Sequence, residues 1–209
     1  MQEMNKQQII TQVEEFAKRC ITQHDGGHDW WHLDRVRKTA LYLQSSEGSG
    51  DPLIIEISAL LHDIDDKKFR EGESMKTEEK IGFFLKSLNI ENNIINEVIY
   101  INKNISFSAG TKPVNFSKEF DIVQDADRLD AIGAIGIARA FNYGGFRNNV
   151  IYDPEVNSSS TIGHFYDKLL KLRELMNTTT GKQLAYERHD FLELFLNQFF
   201  KEWEFRKRT

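Results

Sequence analysis

The clearest feature of the chain is the spacing of its apolar residues. They recur every three or four positions, which places them on one face of a helix. No stretch alternates apolar and polar residues in the way a half-buried strand does. The pattern therefore predicts an all-α fold of about eight or nine helices. The strongest apolar stripes cover residues 9–21, 33–43, 54–64, 81–88, 94–99, 162–176 and 191–203.

Turn-forming residues set the expected ends of several helices. The first stripe ends before the glycine pair at 26–27. The second helix is expected to begin near Asp29 and to stop before Ser45. Asp51 followed by Pro52 predicts the start of a third helix, because an aspartate caps free amide groups and proline suits the first helical position.

Two later regions are harder to divide. Residues 117–141 form either one helix or two abutting helices, since Gly133 and Gly136 permit a break or a close helix contact. Residues 142–160 contain clusters of glycine and serine that predict a loop. Two final helices are expected after it, one over residues 162–176 and a longer one that includes residues 191–203.

The length and composition are those of one globular domain, so we treat residues 1–209 as a single unit. The single cysteine, Cys20, cannot form an internal disulfide, and we expect a cytoplasmic protein. No apolar run approaches the ~20 residues that a membrane helix needs. The net charge of −5 disfavours nucleic acid as a partner, so a small anionic substrate would need a locally positive site.

A histidine and an aspartate stand at the end of the apolar third helix. His62 and Asp63 follow an apolar stretch directly. If these side chains are buried, each needs a partner, because an unpaired imidazole or carboxylate in a core is costly. A metal ion would satisfy both together. The alternative is a hydrogen-bonded helix end with Asp63 facing water.

Two other segments place polar side chains beside apolar ones. His32 opens the second helix, where a histidine is either a ligand or a surface residue. Asp125, Asp127 and Asp130 are interleaved with apolar residues in a further helix. Asp127 and Asp130 lie three residues apart and share a helix face. Spacing alone does not decide which carboxylate would join a site, and a solvated acidic face is the alternative.

Together these segments form an ordered pattern: a histidine, a histidine–aspartate pair and a later aspartate. That H…HD…D pattern resembles the HD superfamily of metal-dependent phosphohydrolases, and more specifically its bacterial YedJ/YpgQ-like branch. The resemblance spans nearly the whole chain, and its longest run is very specific. The matching runs are HDWWHLDRV at 28–36, LLHDIDD at 60–66, VQDADRLDAIGAIGIARAF at 123–141 and HFYDKLLKL at 164–172.

The resemblance implies a metal held by His32, His62, Asp63 and Asp127, the last chosen for its Ala-Asp-Arg-Leu context. Members that hold two metals carry further histidines between the HD pair and the final aspartate. This chain has none there, and Asn104 occupies the segment, so we expect one divalent ion. Two imidazoles and two carboxylates suit Mn²⁺, with Fe²⁺, Co²⁺, Ni²⁺ or Mg²⁺ as alternatives, better than a structural Zn²⁺.

The residues after the HD pair are candidates for catalysis. If the helix continues past Asp63, Asp66 and Lys67 face the same side as its carboxylate. Related HD enzymes place a catalytic acid at the Asp66 offset, so we expect Asp66 to orient or deprotonate the attacking water. Lys67 would hold a phosphate oxygen. The alternative is that residues 65–68 are a solvated charge run.

Three residues further along are expected to contact the substrate. His164 and Lys168 lie four residues apart on one helix face, and Arg147 follows a glycine pair. A surface position is the alternative for each. The resemblance implies a pyrophosphohydrolase that converts a (deoxy)nucleoside triphosphate to monophosphate and pyrophosphate. A nucleoside monophosphate phosphatase and a metal-dependent nucleotide sensor without turnover remain alternatives, and a homodimer is compatible with the sequence.

Overall fold

The structure is a computed structural model that describes residues 4–21, 29–64, 76–105, 117–155 and 160–205. Within these ranges it contains nine α-helices, one 3₁₀ helix and no strand, which confirms the predicted all-α fold. None of the described helices is long and apolar enough to cross a membrane. The α-helices are α1 (Lys6–Cys20), α2 (Trp30–Glu47), α3 (Pro52–Leu61), α4 (Thr77–Ser87), α5 (Asn92–Asn104), α6 (Lys118–Asp130), α7 (Gly133–Phe146), α8 (Thr161–Asp167) and α9 (Thr179–Trp203), and the 3₁₀ helix covers Leu169–Leu175.

The described residues up to Asp127 form one compact unit, and those from Arg128 form another. In the first unit, α3 packs against α1, α2 and α5, and α4 packs against α5. Seven of the ten residues of α3 are buried, which makes it the central helix of this unit. Each large apolar side chain buried here contributes roughly 1.5–3 kcal/mol relative to exposure. The core consists of Ile10, Val13, Ala17, Leu33, Ile57, Leu60, Leu61, Ile64, Ile81, Leu85, Ile95 and Val98.

Side-chain caps fix the starts of α2 and α3. The Asp51 carboxylate accepts a hydrogen bond from the amide of Leu53 at 2.7 Å, with proline next in the chain, as the sequence predicts. Asp29 caps α2 in the same way, accepting from the amide of His32 at 2.8 Å. The predicted stop before Ser45 is wrong: α2 continues to Glu47 and ends at Gly48, whose φ of 61° suits a residue without a Cβ.

An ion-pair network joins α1, α2 and α3. The Arg37 guanidinium donates to Glu56 Oε1 through Nε at 2.9 Å and through a second nitrogen at 2.8 Å. It also pairs with Glu14 on α1. The Glu56 side chain is only 9 % exposed, so this is a largely buried pair. Arg37 therefore fixes α2 against α3.

Residues 117–141 form two helices, one of the two arrangements that the sequence allows. Gly133 begins α7 with a φ of 73°, and a Cβ there would lie 3.0 Å from the Arg188 side chain. A Cβ on Gly136 would overlap the Ala131 carbonyl. Arg188 also donates to the carbonyl of Leu129 near the end of α6 at 2.5 Å, and the same carbonyl accepts from the amide of Ile132 at 3.3 Å.

The second unit differs from the sequence expectation in two places. The expected loop over 142–160 is wrong at its start, because α7 continues through the glycine pair to Phe146. The single helix expected over 162–176 is also wrong. Lys168, with a φ of −133°, separates α8 from the 3₁₀ helix. The core of this unit consists of Leu129, Ile132, Ile162, Phe165, Leu169, Leu172, Met176, Ala185, Leu192 and Leu196.

Candidate metal centre

Three helices of the first unit bring four polar side chains together. His32 lies in the first turn of α2, where the Asp29 cap sets the helix start. His62 is the C-terminal cap of α3, and Asp63 follows it. Asp127 lies in the last turns of α6. The sequence places these residues far apart, and the fold of the first unit brings their side chains together.

The two imidazoles lie close together, and each carboxylate approaches both of them. The Nε2 atoms of His32 and His62 are 3.1 Å apart. Asp63 Oδ2 lies 3.5 Å from His32 Nε2 and 3.8 Å from His62 Nε2. Asp127 Oδ1 lies 3.5 Å and 3.6 Å from the same two nitrogens. One atom each from His32, His62 and Asp63 form a group within 4.8 Å of one another, which could hold a metal ion. Asp127 approaches the two imidazoles but falls outside that mutual group.

These separations fit a shared coordination sphere. Two ligand atoms that each lie about 2.1 Å from one ion are about 3.0 Å apart at a right angle and about 4.2 Å apart when opposite. Each of the separations between His and Asp ligand atoms, and that between the two imidazoles, falls inside this interval. The donor set contains nitrogen and oxygen but no thiolate, which suits Mn²⁺ or a similar divalent ion.

The backbone orients the His62 ring. Its Nδ1 lies 2.9 Å from the carbonyl oxygen of Ala59, and a carbonyl can only accept, so Nδ1–H is the donor. In the neutral imidazole this leaves the Nε2 lone pair free to bind a cation, the usual outer-shell device at histidine ligands. Sequence reasoning missed Ala59, because its side chain has no part in the contact. The offset of three residues at a helix end is the only available signal.

Burial differs between the two ligand types. The side chain of His32 is 0 % exposed and that of His62 is 1 % exposed, whereas those of Asp63 and Asp127 are 35 % and 32 % exposed. The nitrogen side of the cluster is therefore closed and the carboxylate side is open to solvent. A substrate oxygen or a water molecule would reach a bound ion from the carboxylate side.

The electrostatic balance of the cluster favours a positive charge within it. Burial alone would lower the pKa of His62, but the nearby Asp63 and Asp127 outweigh it and raise that pKa to about 9. Burial would raise the pKa of Asp127, but its hydrogen bond and attraction to His62 hold that pKa below the ordinary value. A divalent cation would supply the positive charge that a proton on His62 supplies here beside the two carboxylates.

The neighbouring aspartates of α6 are placed differently. Asp130 pairs with Arg139 at 2.9 Å, so its carboxylate has a structural partner. Asp125 is completely buried. Asp127, by contrast, lies beside both imidazoles. This placement supports Asp127, which the sequence context favours.

The other predicted site residues either lie in the second unit or fall outside the described residues. The expectation that the third helix continues past Asp63 is wrong, because α3 ends at Leu61 and His62 and Asp63 form a turn. Asp66 and Lys67 themselves fall outside the described residues. His164 and Lys168 are half-buried on and after α8 in the second unit. Arg147 is exposed, and its Nε donates to the hydroxyl of Tyr143 at 3.0 Å. The roles proposed for these residues stay predictions.

The all-α fold and the cluster of two histidines with two aspartates define the class of protein. An HD domain profile matches residues 30–132, a range that contains all four cluster residues. The crystal structure of an HD-superfamily hydrolase from Bacillus thuringiensis is similar, with a TM-score of 0.78 and 40 % identity. The similarity covers 97 % of this chain and 100 % of the Bacillus thuringiensis chain. The chain belongs to the HD superfamily.

Within that superfamily the chain is similar to YpgQ of Bacillus subtilis (strain 168), as the YedJ/YpgQ-like resemblance predicts. The two are 38 % identical over 196 residues, which span 91 % of this chain and 92 % of YpgQ. The crystal structure of Bacillus subtilis YpgQ in complex with ADP is similar to this chain. The similarity covers 95 % of this chain and 97 % of the YpgQ chain. Its TM-score is 0.74 at 35 % identity.

Proposed function

We propose that the protein is a divalent-metal-dependent phosphohydrolase that converts a (deoxy)nucleoside triphosphate to a monophosphate and pyrophosphate. The observation that carries the proposal is the cluster of His32, His62, Asp63 and Asp127, in which two buried imidazole nitrogens 3.1 Å apart face two carboxylates. We assign one ion to this cluster, with Mn²⁺ the first candidate. The YpgQ-like resemblance supports the nucleotide and the position of cleavage.

The aspartates and the histidines of the cluster contribute different groups for holding a cation. Asp63 and Asp127 supply negative charge, and His32 and His62 supply neutral nitrogen donors. Ala59 holds the His62 ring so that Nε2 faces the carboxylates. A divalent cation held there supplies a Lewis acid that polarises a phosphoryl oxygen and lowers the pKa of a water molecule. It also supplies the locally positive site that a chain of net charge −5 needs for an anionic substrate.

We further propose that Asp66 handles the proton of the attacking water and that Lys67 holds a phosphate oxygen. General acid–base assistance of this kind is typically worth ~10²–10⁴ in rate. The nucleotide assignment is supported by a relative, since YpgQ of Bacillus subtilis was crystallised in complex with ADP.

A nucleotide panel tests the proposal. The chain is stripped with a chelator, reconstituted with Mn²⁺ and incubated with nucleoside mono-, di- and triphosphates, and phosphorus NMR identifies the products. We expect pyrophosphate from triphosphates. Orthophosphate from monophosphates would instead indicate a phosphatase. Nucleotide binding without any product would indicate a sensor.

A matched pair of variants assigns the activity to the cluster. Asp63→Asn removes a charge from the proposed ligand set, and Asp190→Asn removes one from an exposed position on α9. We expect the first to lose metal and activity together and the second to keep both. Equal activity in the two variants would contradict the assignment of the site.

A further inference from the structure

Two of the helices that carry cluster residues, α2 and α3, are joined by a short turn over residues 48–51. His32 lies in the first turn of α2, and His62 directly follows the last residue of α3. Both histidines therefore lie at the opposite ends of their helices from this turn. At a rise of 1.5 Å per residue, the chain from Asp51 to His62 spans about 16 Å, so the turn is remote from the cluster.

Side chains of α2 and α6 hold this turn. The side-chain amide of Gln44 on α2 donates to the carbonyl of Gly50 at 3.3 Å. The backbone amide of Asp51 donates to Glu119 Oε1 on α6 at 2.7 Å. A hydrogen bond to a carboxylate is roughly twice as strong as one between neutral groups, so the Glu119 contact is the stronger of the two.

Apolar side chains of α3 and α6 converge below the turn. Ile55 on α3 and Ile122 on α6 are both buried. A Cβ on Gly50 would lie 3.0 Å from Ile55 Cδ1, 3.5 Å from Ile122 Cδ1 and 3.6 Å from Glu119 Oε1. The start of α6 therefore packs against the turn and the start of α3.

The helices α3 and α6 contact each other near both ends. Glu119 meets Asp51 just before α3 begins, and Asp127 Oδ1 lies 3.6 Å from His62 Nε2 just after α3 ends. The two helices therefore run in the same direction. The contact at their starts sets how far α6 is shifted along α3, and that shift affects the distance between Asp127 and His62.

This distance leaves little room for a shift. Two atoms that each lie about 2.1 Å from one ion cannot be more than about 4.2 Å apart. The separation of 3.6 Å between Asp127 and His62 is only about 0.6 Å below that limit. A larger separation would force the Asp127 side chain into another rotamer to reach the same ion. We therefore expect a shift of α6 to weaken metal binding without abolishing it.

We propose that Glu119 is a positioning residue of the candidate metal centre. Through its hydrogen bond to the turn, it sets the position of α6 along α3 and so the distance between Asp127 and His62. Glu119 lies about 12 Å from Asp127 along α6, so it acts through the helices and not as a ligand. This inference rests on the proposed function, which assigns one divalent ion to the cluster.

The first test measures the affinity of the chelated full chain for Mn²⁺ by calorimetry. Glu119→Ala should raise the Kd about 5- to 30-fold, within the range by which remote residues alter a site to which they are coupled. Glu119→Gln keeps an oxygen that can accept from the turn, so it should restore the wild-type Kd. Glu79→Ala is the matched control, because Glu79 Oε2 accepts from the backbone amide of Lys76 at 3.3 Å before α4, which carries no cluster residue. It removes the same charge and should leave the Kd unchanged.

The second test needs no metal. In ¹H–¹⁵N spectra of the imidazoles of the chelated protein, the His62 signals should move in Glu119→Ala and stay in place in Glu119→Gln and Glu79→Ala. A contact that only stabilises the fold would lower the Tm of both alanine variants without moving these signals. If Glu119→Ala does not fold, Gln44→Met removes the other contact to the turn and should weaken Mn²⁺ binding in the same direction.

Three outcomes overturn the proposal. The first is a Glu119→Ala variant, or Gln44→Met in its place, with the Kd and the imidazole signals of wild type. The second is a Glu119→Gln variant as weak as Glu119→Ala, because the effect would then come from the charge and not from the hydrogen bond. The third is an equal loss of affinity in Glu79→Ala.

This proposal and the proposed function fail in distinguishable ways. If wild type hydrolyses triphosphates with Mn²⁺ but Glu119→Ala matches it in Kd and imidazole signals, the proposed function stands and the role of Glu119 is wrong. If wild type binds no Mn²⁺ but the His62 signals of the chelated variants respond as expected, the proposed function is wrong and Glu119 still positions the cluster.

Discussion

The Arg37–Glu56 pair offers a quantitative test of how the fold supports the candidate metal centre. Arg37 follows His32 on α2 by five residues, and Glu56 precedes His62 on α3 by six. At a rise of 1.5 Å per residue, the pair stands about 8–9 Å along the helices from the two imidazoles. Because this pair links α2 to α3, its removal should loosen the two helices that carry the histidines. The perturbation is Glu56→Leu.

The expected cost follows from the burial of the pair. Removing one partner of a buried ion pair typically costs 3–5 kcal/mol, because the other charge is left without compensation. The Arg37 side chain is 20 % exposed and keeps its contact with Glu14, so the lower end applies. We expect a loss of about 3 kcal/mol, and at about 2–4 °C per kcal/mol for a chain of this length, a Tm lowered by about 6–12 °C.

Thermal unfolding followed by circular dichroism at 222 nm measures this loss. Replacing both partners, Arg37→Met with Glu56→Leu, should recover part of it, because no buried charge is then left alone. The control is Lys38→Met, which breaks an exposed pair with Asp34 and should cost under about 1 kcal/mol. The reasoning is refuted if Glu56→Leu costs no more than Lys38→Met, or if the double variant loses the sum of the two single losses.

Three further outcomes follow from particular residues. Because the pKa of His62 is about 9, the chelated protein holds a proton there at pH 7.5, and Mn²⁺ must displace it. Calorimetry in buffers of different ionisation enthalpy should find about one proton released per ion, against about a tenth for a histidine of ordinary pKa. Affinity for Mn²⁺ should rise with pH up to about 9 and level off above it; equal affinity at pH 7 and 9 would contradict this. Asp66→Asn should lower turnover ~10²–10⁴-fold without loss of metal, and Asp65→Asn should not; equal losses would deny Asp66 a special role. Gly133→Ala should cost roughly 1–2 kcal/mol in urea unfolding because of its positive φ, whereas Gly145→Ala, with open space around it, should not destabilise; equal stability in the two would count against strain at position 133.

The sequence predicts the helices well where a long apolar stripe and a clear cap coincide. Asp51 with Pro52 marks the start of α3 correctly, and the apolar stripe identifies its buried face. The prediction of helix ends from the sequence is least accurate near glycines. The pair at 144–145 indicates a turn by composition, yet α7 passes through it because Gly144 permits close contact with Thr161. That contact is a property of packing and leaves no local sequence signal.

The candidate metal centre could also be predicted only in part from the sequence. The ordered histidines and aspartates identify His32, His62, Asp63 and Asp127, and the structure collects all four. The orienting carbonyl of Ala59 could not be predicted, because a backbone group has no residue signature. A pocket lined by Tyr143, Gly144, Thr161 and His164 could not be predicted either, because its walls depend on how α7 and α8 pack. The sequence therefore indicates the candidate ligands, whereas the three-dimensional structure supplies their orientation and surroundings.

Turnover and metal content measured on the same samples test the central claim most directly. Chelated wild type and His62→Ala are reconstituted with Mn²⁺, assayed with a nucleoside triphosphate and analysed for bound metal. We expect about one ion per chain and pyrophosphate release in the wild type, because we propose one metal site of four ligands. We expect neither in His62→Ala. Full turnover in the variant, or no hydrolysis by wild type that holds one Mn²⁺ per chain, would contradict the claim.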